Sequence, residues 1–426
     1  MVFDVSIRYP AIKSLCLLVI LVIFIPSFTF ADDFRVGGFF DTGKRTQAED
    51  YEEEDDDSEY TYRHYHFRFE HRLSARANYE VGSNYYDKDY SLSDSNDNIS
   101  RILTVKGSYD IRKEKEEKLK LDIGFRHKKK RYSESPDSEY DQVILSPKFT
   151  YSVKDIYSVY VSTGINSYDY VNNNGKDEVK LYSKLGGKRY LFAKRLVLSS
   201  SFRFESSTRK REDRREHKNV LMLGAYYIPD VPYIYKITLR AKAGQGDTKD
   251  DDDRDDDFDY RFSRFFIKTE HRINRFLKAG LVYEYFRKDY LTADIDYRGF
   301  HIRNTWRQSI VADKDGDLYI IVAAAHKTVY YPIKPERDYR KDTLEVNGVI
   351  LKRGDWKTSL SLRGDFYDYS DSTGDKNRYY ARLLLKRYFF EKRLDLSLNL
   401  KYKYTDNRHS NNTEEESGRL AFTYKF

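Results

Sequence analysis

The chain has 426 residues, of which 34% are charged and 16% aromatic, with 40 Tyr against 8 Pro and 2 Met. A mean hydropathy of -0.80 excludes a helical membrane protein, because beyond one N-terminal stretch no apolar run approaches the ~18 residues that a spanning helix needs. The formal charge is +7, and a single Cys rules out a disulfide framework; Tyr, Phe, Val and Leu at strand-like spacing argue against disorder in so charged a chain.

From the N-terminus, Arg8 and Lys13 flank the start of an eleven-residue apolar core, Leu15 to Ile25, too short to span a bilayer comfortably. Pro26 breaks it, and Thr29-Phe30-Ala31 offers a cleavage site before Asp32. Residues 1–31 are therefore expected to be a signal peptide and 32–426 a single domain. Cys16 lies inside this leader, so the mature chain is expected to have no thiol chemistry.

One pattern then recurs to the end: a strand-like run, a short turn, another run, a longer polar loop. Twenty candidate strands fall near 34–42, 59–72, 74–86, 101–112, 118–131, 141–153, 156–168, 178–191, 195–207, 218–228, 233–244, 258–271, 275–288, 297–311, 317–330, 342–352, 355–369, 378–390, 393–405 and 416–426. Weak neighbouring runs that merge or split give a range of roughly 16–22. Strand 118–131 places Leu119, Leu121, Ile123 and Phe125 on one face, and strand 275–288 does so with Leu277, Ala279, Leu281, Tyr283 and Tyr285. In 393–405, Leu394, Leu396, Leu398, Leu400, Tyr402 and Tyr404 face one way and Asp395, Ser397, Asn399, Lys401 and Lys403 the other. The change from Leu to Tyr along the apolar face is expected of a lipid-facing strand that ends in an aromatic girdle.

Short turns such as Phe192-Ala193-Lys194-Arg195 and Glu391-Lys392-Arg393 alternate with longer loops at 43–58, 87–100, 132–140, 208–217, 245–257, 331–341 and 406–415. The last run, Leu420-Ala421-Phe422-Thr423-Tyr424-Lys425-Phe426, puts Leu420, Phe422, Tyr424 and Phe426 on one face and closes on an aromatic residue. This ending, with the leader and the alternating strands and loops, resembles the bacterial outer-membrane β-barrel proteins, in particular their porin-like class. The resemblance implies an all-β fold, a transmembrane antiparallel up-and-down barrel of about 20 strands, with short turns and both termini on the periplasmic side. It implies a place in the bacterial outer membrane among lipid and lipopolysaccharide, delivery by the barrel-assembly machinery, and a C-terminal strand that closes against the one starting at Phe34. With the first strand starting there, no plug or periplasmic domain is expected.

If the apolar faces meet lipid, the opposite residues line the lumen. They include Lys120, Arg126, Lys180, Lys184, Lys236, Arg240, Lys242, Arg303, Arg307, Arg363, Arg382, Lys401 and Lys403, with Lys106, Lys128, Lys148, Lys188, Arg203, Lys278, Lys386, Arg419 and Lys425. The acids on that face are Glu70, Asp110, Asp122, Glu205, Glu284, Glu345, Asp365 and Asp395. A basic, water-filled wall concentrates anions and depresses the access of cations. The alternative is a polar interior in which these charges pair with one another.

Other constellations carry less. The acidic runs 49–57 and 250–257 lack the glycine turn and ligand spacing of a calcium loop and are expected to be solvated loops. His64 and His66 share a face with Arg68 and Glu70, but the sequence identifies no third ligand, so no metal or other cofactor is expected. No Gly-x-Ser-x-Gly, His-Glu-x-x-His or cysteine nucleophile points to an enzyme. Tyr and Phe are expected opposite the basic residues, which leaves no shared stacking groove for nucleic acid. The sequence thus points to a porin-like channel for passive passage of anionic solutes or of acidic polysaccharide, as in exopolysaccharide export. The alternatives are a closed structural or surface-interaction barrel and a barrel hydrolase.

Overall fold

Runs that alternate apolar and polar residues cannot bury both faces in one medium. They are stable where one face meets lipid and the other water, and where every backbone N–H and C=O is paired. The computed structural model meets both demands. It describes residues 33–48, 60–90, 97–173, 176–209, 215–231, 233–249, 259–290, 295–312, 315–352, 354–408 and 412–425. The leader, both acidic runs and Phe426 lie outside the described residues.

The strands are β1 Asp33–Ala48, β2 Tyr60–Arg72, β3 Ala77–Tyr90, β4 Asn98–Lys113, β5 Glu117–Tyr132, β6 Tyr140–Val153, β7 Tyr157–Tyr170, β8 Glu178–Leu191, β9 Leu196–Arg209 and β10 Arg215–Tyr227. They continue with β11 Ile234–Lys249, β12 Tyr260–Arg272, β13 Leu277–Tyr290, β14 Tyr297–Ala312, β15 Gly316–Tyr330, β16 Tyr339–Lys352, β17 Trp356–Tyr369, β18 Lys376–Phe389, β19 Leu394–Asn407 and β20 Asn412–Lys425. Every strand pairs antiparallel with its sequence neighbours, and β1 pairs with β20, from Arg35 opposite Lys425 to Ala48 opposite Asn412. The sheet therefore has no free edge. Asp41 and Arg419 face each other across this seam, with Arg419 Nε donating to Asp41 Oδ2 at 2.9 Å.

All twenty expected strands are present, and their ends reach into segments expected to be loops. β1 runs to Ala48, β11 to Lys249, and β20 starts at Asn412. A strand of 14 residues is about 46 Å long, or roughly 35 Å along a tilted barrel axis, so its polar ends project beyond an apolar belt about 25 Å tall. No helical segment was expected; the described loops hold three-residue 3-10 turns at Pro136–Ser138, Pro335–Arg337 and Ser372–Gly374.

At the long-loop end one clamp recurs. The backbone N–H closing an odd-numbered strand donates to an acidic or amide side chain just before the next strand. Tyr90 bonds Asp97 at 2.6 Å, Tyr170 bonds Asp177 at 2.9 Å, Tyr290 bonds Asp296 at 2.6 Å, Tyr331 bonds Asp338 at 2.6 Å and Tyr369 bonds Asp375 at 2.7 Å. Each clamp gives a partner to a donor that the ladder leaves unpaired at the strand end.

The barrel is also an internal repeat of two ten-strand halves, β1–β10 and β11–β20. Lys188-Arg189-Tyr190-Leu191-Phe192-Ala193-Lys194-Arg195-Leu196-Val197-Leu198-Ser199 matches Lys386-Arg387-Tyr388-Phe389-Phe390-Glu391-Lys392-Arg393-Leu394-Asp395-Leu396-Ser397 at nine of twelve positions. Both segments turn through three consecutive left-handed residues, with φ of 50, 51 and 70 at Phe192, Ala193 and Lys194 and of 50, 54 and 72 at Phe390, Glu391 and Lys392. The bulge at Asp110/Arg112 recurs at Ser309/Val311. The 3-10 turn opened by Pro136 recurs at Pro335.

Candidate functional site: the lumenal wall

Directly opposed residues of an antiparallel ladder share a face. The register therefore joins Asp122 to Lys148, Lys148 to Ser162, Ser162 to Lys184 and Lys184 to Arg203 in one row. Continued around the barrel, it places all the sequence-derived lumenal residues on one face and Leu181, Leu223, Leu281, Leu344, Leu362, Leu400 and Leu420 on the other. The first face is concave, because side chains two strands apart meet on it. Arg303 of β14 reaches Glu345 of β16 at 2.9 Å, over Ala323 and Ala325 of β15. On the convex face the large apolar residues stand exposed, Leu185 and Leu420 by 59% and 56%, as a surface that meets lipid requires.

Only part of the inner positive charge is neutralised. Lys120 pairs with Asp122 at 2.6 Å, Lys180 with Glu178 at 3.0 Å, Lys236 with Glu270 at 3.2 Å, Arg363 with Asp365 at 2.8 Å and Lys403 with Glu415 at 2.6 Å. Arg382 donates to the neutral Asn399 at 2.8 Å. Among the described residues no carboxylate lies within ion-pair distance of Arg126, Lys184, Arg240, Lys242, Arg307 or Lys401. The sequence reading missed the inward acids Asp41, Glu80, Glu178, Glu270 and Glu415. Several of these sit near strand ends, where period-two phasing alone could have placed them. The same extension adds the cations Lys88, Arg264, Lys288, Lys327, Lys341 and Arg378.

The structure corrects the expectation that aromatic and basic residues occupy opposite faces. At the long-loop end, tyrosine and lysine share the inner face. Lys88 Nζ lies 3.5 Å from the ring centre of Tyr60 and 4.2 Å from that of Tyr90. In the second half Lys288 lies 3.9 Å from Tyr260 and 4.1 Å from Tyr290. Lys128 donates to the Tyr140 hydroxyl at 2.8 Å, and Lys327 to that of Tyr339 at 2.7 Å. These stacks form an inner lip of aromatic faces and ammonium groups. Lower in the wall single rings also share the inner face with cations, as Tyr160 does beneath Lys148 and Phe266 beneath Arg240, while Leu and Val dominate the outer face.

His64 Nε2 and His66 Nδ1 both lie at Asn84 Oδ1, 3.3 and 2.8 Å away. Leu420, Phe422 and Tyr424 of the closing strand occupy the face opposite Arg419, and pair with Phe40, Gly38 and Val36 of β1.

A closed antiparallel barrel with an apolar belt and a charged, concave interior defines a transmembrane β-barrel of the bacterial outer-membrane type. No family model and no curated protein matches the sequence. Among solved structures the chain is similar in fold to the copper transporter OprC, with a TM-score of 0.52 and 9% identity, covering 93% of this chain and 81% of that one. It is likewise similar to the alcaligin outer-membrane receptor FauA from Bordetella pertussis, with a TM-score of 0.51 and 9% identity, covering 93% and 76%. OpdQ from Pseudomonas aeruginosa aligns with a TM-score of 0.48 and 8% identity over 93% of this chain and all 100% of that one.

Proposed function

We propose that this chain is a passive outer-membrane channel that favours anions. The observation that carries the reading is the inner wall of a 20-stranded barrel in which Arg126, Lys184, Arg240, Lys242, Arg307 and Lys401 have no carboxylate partner among the described residues. Barrels of about 16–18 strands already hold an aqueous channel. Every described strand packs on its two neighbours and none crosses the interior. Water and ions would move down their gradients along a wall whose field raises local anion concentration.

The inner lip favours acidic sugars among anionic solutes. Tyrosine faces present flat apolar surface to a sugar ring, and the adjoining ammonium groups meet its carboxylate. The long loops would then lie outside the cell and the short turns in the periplasm. Proteoliposomes loaded with D-glucuronate and with glucose test this. Faster release of glucuronate supports the reading, and equal or slower release refutes it.

A further inference from the structure

The two halves of the barrel provide an internal control, because equivalent positions follow from the register. The row Met222–Lys242–Arg264 of β10, β11 and β12 corresponds to Arg419–Asp41–His64 of β20, β1 and β2. The row Arg240–Phe266–Glu284 corresponds to Phe39–His66–Asn84. Lys188 corresponds to Lys386, and Val197 to Asp395, in the repeated segment.

In the second set the charges cancel. Lys386 pairs with Asp395 at 2.5 Å and Arg419 pairs with Asp41. In the first set they do not. Val197 stands where Asp395 would answer Lys188, Lys242 stands where Asp41 would accept, and Arg240 replaces Phe39. Glu284 is bonded to Arg264 and is, among the described residues that line this sector, the one carboxylate beside Lys188, Arg240, Lys242 and Arg264.

Small residues floor the same sector. Gly186 stands where the second half has Leu384, and a Cβ on it would come within 2.6 Å of the Tyr160 hydroxyl. Ser359 takes the place of Tyr160 there, so the two substitutions compensate in volume. Ser199, Ser201 and Gly224 keep the floor small. The result is a cavity of about 550 Å³ lined by Lys188, Arg240, Lys242 and Arg264, with Ser199 and Ser201 on its floor. That volume lies within the roughly 300–1,000 Å³ of small-molecule sites.

We propose that this sector of the lumen, between β8 and β12, is a binding site for an oxyanion borne on a small organic body, such as a sugar acid. The inference rests on the anion-channel reading and adds a discrete, saturable site to a distributed field. Two or more cations that lack internal partners meet the charge, the Ser201 hydroxyl donates to oxygen, and Tyr160 and Phe266 supply apolar surface; Ser199 is held by the Gly224 carbonyl.

The full-length protein in planar bilayers tests it, with D-glucuronate and inorganic phosphate as added blockers of the KCl current. The wild type should show saturable block. Block by glucuronate alone assigns the organic acid, and block by both assigns the oxyanion in general. In Met222→Arg/Arg240→Phe/Lys242→Asp, which installs the residues of the second half at equivalent positions, the half-blocking concentration should rise about tenfold or more. Lys188→Gln provides a separate reading with a single change and should raise it in the same direction. Block by neither anion, block that does not saturate, or block unchanged in these variants overturns the site. An anion-selective wild type with that result leaves the channel reading standing, whereas cation selectivity of the wild type overturns both.

Discussion

Asp365 offers the sharpest test of the wall as described. It is 1% exposed and accepts from Arg363 Nε at 2.9 Å, from Arg363 Nη2 at 2.8 Å and from Thr343 Oγ1 at 2.7 Å, with Lys341 Nζ at 2.9 Å. Asp365→Asn keeps the shape but turns an amide nitrogen towards a cation. Breaking a buried ion network costs about 3–5 kcal/mol. Arg363 is 39% exposed and Lys341 19%, so water recovers part of that loss and about 3 kcal/mol is expected. The first half shows how the position is made neutral: Gln142 Nε2 donates to Asn166 Oδ1 at 2.9 Å, and these residues correspond to Lys341 and Asp365. Lys341→Gln added to Asp365→Asn should therefore recover about 1–2 kcal/mol. Urea unfolding in phospholipid vesicles, followed by Trp306 and Trp356 fluorescence, measures both. A loss below about 1 kcal/mol for the single variant, or strictly additive effects in the double one, would refute the reasoning. The single variant should also gain anion preference, because it leaves Lys341 and Arg363 without their counter-charge.

Further outcomes are expected in the wall and at its ends. Leu400→Arg, on the convex face, should cost about 2–4 kcal/mol near the bilayer midplane, while Lys401→Arg beside it on the concave face should cost far less; equal costs would contradict the assignment of faces. Asp338→Ala removes the acceptor of the Tyr331 N–H and should destabilise by about 1 kcal/mol, visible as faster proteolysis of the 331–338 loop, and unchanged cleavage would remove the clamp from the account. Deletion of Phe426 is predicted to reduce the yield of heat-modifiable, assembled barrel more than the conductance of each assembled channel; normal assembly would deny the closing strand its targeting role.

The strands and their faces were legible because both report on period two, and membrane exposure forces that period along the whole chain. Leu394 to Lys403 shows this most simply: the apolar set and the charged set never exchange phase. Strand ends were less legible, since Gln245, Gly246 and Asp247 of β11 continue the ladder with residues typical of loops. Ion pairing was legible only within a strand, as for Lys120 with Asp122 and Arg363 with Asp365. Lys180 has Glu178 two residues away on its own face, whereas Lys236 with Glu270 and Lys403 with Glu415 meet across strands, and those pairs depend on the neighbouring strand's register. The repeat was readable from the sequence, in the segments 188–199 and 386–397 and in two acidic runs that each precede a tyrosine-led strand. Reading each strand for its own alternation passed over it, although it is what separates the charged sector at β10–β12 from its neutral counterpart at β20–β2. Likewise the inner lip escaped notice because the aromatics were expected to lie mainly opposite the basic residues, whereas Tyr60, Tyr90, Tyr260 and Tyr290 fall in phase with the lysines.

A concave wall with uncompensated positive charge should make the barrel a conducting pore that prefers anions. The zero-current potential of single channels of the full-length protein under a KCl gradient measures both at once. The expected result is a conducting pore whose reversal potential has the sign of chloride preference and falls towards zero as salt rises and screens the wall. A conducting pore with potassium preference, or a properly assembled barrel that passes no current, would contradict it.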